Sequence, residues 1–328
     1  MRTTMFQATL LGALLLSGAA AAQQPAGDVS LYTSNNAEAV QAVVDIAKKR
    51  IPQVKIGAVT GGSATLLKRI EAEASAPKAD IFWSSSPNVL GGFKPLYAAY
   101  ESPEGKAVPA NYIEPGKLWT ACNVHVVVMM VNTKQLGGLP APKTWKDLAD
   151  PRWKGKLIVA DPNSSSTAYT VLWGASKVLD AEGFKTLAKN VTVSRNASAV
   201  LSSVAQGEYA VGLTFESNAY AYVAGGQKEI KLVYAEDGTF VTDESVVLVK
   251  NAPNAVAARA LYDLLLSKDM QVELLERAFR RPSRTDIDVS KHVELPDIKS
   301  IKVFPIDEQE SQAKRADFLA QWQQLQAN

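Results

Sequence analysis

Three times in succession near the start of this chain, an apolar strand ending in small polar residues is followed by a helix. "DVSLYTSNN" (28–36) closes on hydroxyl and amide side chains, and "AEAVQAVVDIAKKR" (37–50) then places apolar residues at helical spacing. "VKIGAVTGGSATLLKRIEAEA" (54–74) repeats the order around a Gly-Gly-Ser turn, and "ADIFWSSSPNVLGGF" (79–93) is a third strand ending in serines. Such alternation predicts an open α/β sheet with helices on both faces. Ligands of open α/β sheets bind outside the carboxyl ends of the strands. Ser34 and Asn35, Gly62 and Ser63, and Ser84 and Ser85 all stand at that edge.

A second unit is expected from "NVHVVVMMVNT" (123–133), whose continuous apolar run suits a strand buried on both faces. His125 within it reads as a packed core residue. A Pro-rich loop, a short helix around "TWKDLAD" (144–150) and the strand in "KGKLIVADP" (154–162) follow. Helical periodicity then marks "AYTVLWGASKVL" (168–179) and "SAVLSSVAQG" (198–207), with a strand in "YAVGLTF" (209–215) and two more in 230–249. The remainder reads as mostly helical and ends in "DEQESQAKRADFLAQWQQLQ" (307–326), a charged helix with a solvated face.

Between the strand and helix of the second unit lies "ADPNSSSTAY" (160–169). Asn163 or Ser164 can cap the helix, which leaves Ser165, Ser166 and Thr167 as free hydroxyls at its start. A helix N-terminus carries partial positive charge and orphan N–H groups, so neutral donors around it can hold an anion without Arg or Lys.

Composition narrows the remaining classes. "MRTTMFQATLLGALLLSGAAAAQQ" combines Arg2, an apolar run from Leu10 to Leu16 and three small residues, and predicts a signal peptide over 1–22 cleaved before Gln23. The run is shorter than the ~20 residues of a membrane span. Losing Arg2 takes the formal charge from +2 to +1, and a nearly neutral chain without Lys/Arg runs argues against nucleic acid and membrane surfaces as partners. Cys122, the single cysteine, can form no internal disulfide, and His125 and His292 are the only histidines. No metal-ligand spacing occurs, and no metal or cofactor is expected. A secreted serine hydrolase is the rival class: Ser75 with Lys78, and Ser311 with Lys314, match S-x-x-K, but without K-T-G, S-D-N or a G-x-S-x-G elbow.

"LYTSNN" (31–36), "TGGSATLLKRIEAEASAPKADIFWSSS" (60–86), "PKTWKDLADPRWKGKLIVADPNSSSTAY" (142–169), "VAQGEYAVGL" (204–213) and "DESVVLVKNAPN" (243–254) together resemble periplasmic solute-binding proteins of ABC transporters, in the group containing ferric-iron, 2-aminoethylphosphonate and sugar-phosphate receptors. The resemblance implies a type II two-lobed α/β fold with the ligand in the interlobe cleft: lobe one over 28–118 with a returning segment 245–285, lobe two over 119–244, and a helical tail 286–328 packed on the lobes. It also implies a binding protein, not an enzyme, located in the periplasm, acting as a monomer and delivering a small anionic solute to an inner-membrane permease. Ferric-iron receptors of the group place two adjacent tyrosines where Ser217 and Asn218 stand here; Tyr220 and Tyr222 come later and do not share a helix face. The phosphate and phosphonate receptors imply instead that the hydroxyl loops hold the anion. Asn196, Glu216, Thr242 and Asp243 are then expected at the selecting end of the ligand, with Ser198 beside Asn196.

Overall fold

The computed structural model describes residues 25–327; the expected signal peptide (1–22) lies outside the described residues. Strands β1 (Gly27–Thr33), β2 (Val54–Thr60) and β3 (Ile81–Trp83) alternate with helices α1 (Ala37–Arg50) and α2 (Ser63–Ala72), as the periodicity predicts. β1 lies between β2 and β3 and is parallel to both, with Leu31 opposite Ala58 on one side and Ile81 on the other. Parallel pairing sends all three carboxyl ends to one edge, which brings the polar strand ends together. α1 holds its place by burying Ala39, Ala42, Val43, Ile46 and Ala47, a stripe at helical spacing, while Asn36 caps it by accepting the Ala39 N–H at 3.0 Å. The short α3 (Pro87–Leu90) and β4 (Tyr97–Ala98) complete this stretch.

β5 (Thr120–Asn132) is buried along its whole length, as an unbroken apolar run requires. The chain then forms α4 (Trp145–Leu148), β6 (Leu157–Ala160), α5 (Ser166–Val178), α6 (Ala181–Asn190), β7 (Val191–Ser194), α7 (Ala197–Ala205), β8 (Val211–Phe215), α8 (Glu216–Ala224) and β9 (Ile230–Val233). β10 (Val241–Val249), α9 (Ala255–Leu266), α10 (Lys268–Ala278), β11 (Arg281–Pro282), α11 (Glu308–Ala313) and α12 (Arg315–Ala327) follow. The strand order is β2-β1-β3-β10-β5-β8-β6-β7. The first part of β5 pairs antiparallel with β10 and the last part with β8 and β9, so this one strand joins the two halves.

The terminal segment forms two helices where one charged helix with a solvated face was expected. It breaks at Lys314 into α11 and α12, and buries Ser311, Phe318 and Trp322. Phe318 meets Tyr169 and Trp173 edge-on, with ring centroids 5.7 and 5.4 Å apart. α11 packs against α3 and α12 against α6, so this segment touches both halves.

Candidate functional site

A cleft of about 770 Å³ opens between the halves, where the carboxyl edge of β1, β2 and β3 faces the starts of α5 and α7. Ser34, Asn35, Gly62, Ser63, Ser84 and Ser85 line it from the first half; Ser165, Ser166, Thr167 and Asn196 line it from the second, with Ser198 beside them. The N-termini of α1, α2, α5 and α7 thus all open on one space. Ser165, not Asn163 or Ser164, is the cap of α5, accepting the Ala168 N–H at 3.3 Å. Asn163 instead turns back on Asp161, donating its N–H and side-chain amide at 2.9 and 2.8 Å. Asn196 caps α7 through the Ala199 N–H at 2.8 Å, whereas Gly62 has no side chain with which to cap α2.

The walls touch. The Ser166 N–H donates to Ser63 Oγ at 3.1 Å, and Ser86 Oγ lies 3.4 Å from Thr170 Oγ1. A Cβ at Gly62 would come within 2.7 Å of the Ser164 carbonyl oxygen, so only glycine permits this approach without a shift. Several expected contact groups are occupied within the protein: the Ser34 and Ser84 hydroxyls bond each other, and the Asn35 amide donates to the Trp83 carbonyl at 3.2 Å. Ser85 differs. Its φ of 74° places a non-glycine residue in the left-handed region, and its buried Oγ has no partner. Backbone strain with an unused polar group is characteristic of ligand sites.

Charged groups meet the hydroxyls at one end. Asp243, Glu244, Arg280 and His125 all line the cleft, and all are buried. Successive strand residues normally face opposite ways, but the pairing of β10 with β5 shifts register between Glu244 and Ser245. The bulge accounts for both acids reaching the cleft. Burial pushes the Asp243 carboxyl up to about 7, although the Ser245 hydroxyl donates to it at 2.7 Å. Burial also pushes Glu244 up, but the Arg280 guanidinium, 3.0 Å away, opposes it, and its pKa is lowered. His125 is the packed residue expected, stacked on Phe215 with centroids 4.5 Å apart and planes 1° from parallel, yet its ring also borders the cleft.

Two expected selector residues lie elsewhere. Glu216 is absent from the cleft lining: its carboxylate accepts from Arg281 Nε and NH2 at 2.6 and 2.9 Å and from the Tyr234 hydroxyl at 2.5 Å. Thr242 is likewise off the lining, and its hydroxyl donates to Glu308 Oε1 at 2.8 Å. Asp243, next in the chain, faces the cleft because it points to the other side of β10. Sequence reasoning missed Glu244 and Arg280. "DES" carried a weak signal for the first; nothing local marked the second, which follows the left-handed residue Phe279 (φ 57°) at the end of α10. Tyr220 meets Phe279 edge-on at a separate surface depression and Tyr222 packs against the core, while Asn218 lines the cleft. Neither S-x-x-K match builds a nucleophile with its base: Ser75 and Lys78 are exposed, Ser311 Oγ donates to the Tyr169 hydroxyl at 3.3 Å, and Lys314 pairs with Glu310. Among the described residues, no group of three or more His, Cys, Asp or Glu side chains could hold a metal ion, and no helix is long and apolar enough to cross a membrane.

Residues 76–311 match the family of bacterial extracellular solute-binding proteins. Over 260 residues the chain is 24% identical to a periplasmic protein of Salmonella typhi assigned by name to 2-aminoethylphosphonate binding, covering 72% of each chain. Over 283 residues it is 27% identical to the major ferric iron-binding protein of Neisseria meningitidis serogroup B, covering 79% of this chain and 82% of that one. Its fold matches the periplasmic binding protein AfuA of Actinobacillus pleuropneumoniae, solved with fructose-6-phosphate bound, with a TM-score of 0.82 and 25% identity over 90% of this chain and 97% of that one. The two-lobed α/β architecture expected from the sequence is the one these proteins share, and they bind and deliver solutes; they are not enzymes. On this evidence the chain belongs to the bacterial extracellular solute-binding proteins, the periplasmic receptors of ABC importers.

Proposed function

We propose that this receptor captures a small organic anion bearing a phosphate or phosphonate group, of the 2-aminoethylphosphonate or sugar-phosphate type, and presents it to an inner-membrane permease. The observation that carries the reading is the convergence of four helix N-termini and their hydroxyls on one cleft. Each N-terminus contributes about half a positive charge and unpaired N–H groups, which together favour a compact anion. Gly62 leaves the first N–H groups of α2 without a side-chain cap, and Ser85 supplies an unused hydroxyl. Asp243 and Asn196 then act on the remainder of the ligand. The lobes divide at 118/119, where β5 is about to begin, and at 244/245, where β10 slips register against β5. The receptor works as a monomer in the periplasm.

Thermal unfolding of protein first denatured and refolded to strip bound ligand tests the reading. A matching phosphate ester or phosphonate at about a hundred times its Kd stabilises by ~2.7 kcal/mol, a rise of roughly 5 °C. A rise with ferric salts alone, with a coloured complex, would replace the anion reading with an iron one.

A further inference from the structure

Three polar atoms on residues lining the cleft are buried and have no hydrogen-bond partner: Ser85 Oγ, His125 Nδ1 and Arg280 Nε. Their residues are 5%, 5% and 4% exposed, so bulk water does not satisfy these groups. They come from distant parts of the chain, namely the end of β3, the middle of β5 and the segment between α10 and β11.

The surrounding geometry decides which way their hydrogen bonds run. Arg280 NH1 lies 3.2 Å from His125 Nε2 and 3.0 Å from Glu244 Oε2. A guanidinium only donates, so Nε2 is the acceptor and the neutral ring carries its proton on Nδ1. Glu244 Oε2 is 3.7 Å from Nε2, too far to take a proton from it. Burial lowers the His125 pKa, against the pull of Glu244, and the Arg280 charge lowers it further, which agrees with a neutral ring. The Phe215 stack fixes the plane of the imidazole, and Arg280 lies over the Trp83 ring at 5.9 Å. His125 Nδ1 and Arg280 Nε are therefore both donors held in place, and Ser85 can donate or accept.

We propose that His125, Arg280 and Ser85 form an anchor for an oxygen-bearing group at the second end of the ligand, so that the site prefers hydroxyl-bearing phosphate or phosphonate anions to their ammonium-bearing counterparts. The inference rests on the phosphate-or-phosphonate reading above. An ammonium offers only donors, so it leaves both fixed N–H groups unpaired and meets the Arg280 charge. A hydroxyl accepts from these groups and can still donate to Asp243. The charge an ammonium would require is also reduced: Glu244 is taken up by Arg280, and Asp243, with its pKa near 7, is only partly ionised at neutral pH. Sites built to bond a substrate oxygen discriminate against analogues that cannot fill that bond.

The test is calorimetric titration of stripped, refolded protein with ω-hydroxyalkyl phosphates, with ω-aminoalkyl phosphates of matched chain length, and with methyl phosphate, which has no second end. The hydroxyl series is expected to bind at least about tenfold more tightly at the best length. His125→Phe keeps an aromatic ring against Phe215 but removes the donor, and should reduce that preference to within about threefold. His125→Asn returns an N–H donor near the Nδ1 position and should recover part of it, with thermal unfolding confirming that both variants fold. Equal or tighter binding of the amino series, or an equal loss for both series in His125→Phe, overturns the anchor while leaving the anion cradle standing. Failure of methyl phosphate and of both series to bind overturns the phosphate reading itself, and the anchor with it.

Discussion

Glu216→Gln is expected to lower stability while leaving ligand ranking intact. The Glu216 carboxylate takes two bonds from Arg281, at 2.6 and 2.9 Å, and one from the Tyr234 hydroxyl, and Arg281 also donates to the Pro296 carbonyl at 2.7 Å. The side chains of the ion pair are 2% and 5% exposed. Gln keeps an oxygen for one hydrogen bond but leaves the guanidinium buried without its counter-charge. Removing one partner of a buried pair costs about 3–5 kcal/mol, and the retained acceptor places this variant near the lower figure. At about 2 °C per kcal/mol for a large domain, the midpoint should fall by roughly 6 °C. The measurement is thermal or urea unfolding of ligand-free protein, because carried-over ligand would mask the loss. Glu216→Gln/Arg281→Met should regain part of it by removing the orphaned charge. An unchanged midpoint with an altered order of ligand affinities would refute this reasoning and return Glu216 to the selecting role that the sequence suggested.

Gly62→Ala sets a Cβ against the Ser164 carbonyl oxygen, 2.7 Å away, so it should oppose contact between the walls by about 1–3 kcal/mol and weaken binding accordingly. Unchanged affinity by titration would show that the walls need not approach this closely around ligand. Ser166→Ala combined with Thr167→Ala should weaken anion binding with the unfolding midpoint preserved; full affinity would remove the second-half hydroxyls from the cradle. Burial raises the Glu308 pKa to about 7, against the bond from Thr242, so protonation favours the folded state: the stability it contributes is fully present below the ordinary carboxylate pKa and is lost as pH rises through 7. Glu308→Gln should therefore match the parent near pH 4 and exceed it above pH 7 by up to about 3 kcal/mol, and parallel stability curves would contradict this.

Local patterns were enough to place most of the architecture. Apolar spacing marked α1, α5 and α7, the unbroken run marked β5, and the polar ends of β1, β2 and β3 marked the edge that became the cleft. These features are legible because helical and strand periods confine their information to neighbouring residues. The serine run was read correctly as a helix start but with the wrong cap, since Asn163, Ser164 and Ser165 have equivalent capping chemistry and Asp161 competes for the first. Glu216 and Asp243 looked alike as acids beside strands. Their roles parted only when Arg281, 65 residues from Glu216, folded onto one and the pairing of β10 with β5 set the other on the cleft side of the sheet. The pairing of Arg280 with His125 spans 155 residues in the same way. The energy of a buried charge depends on which partner arrives within about 3 Å, and chain topology brings that partner from sequence positions that no local period connects.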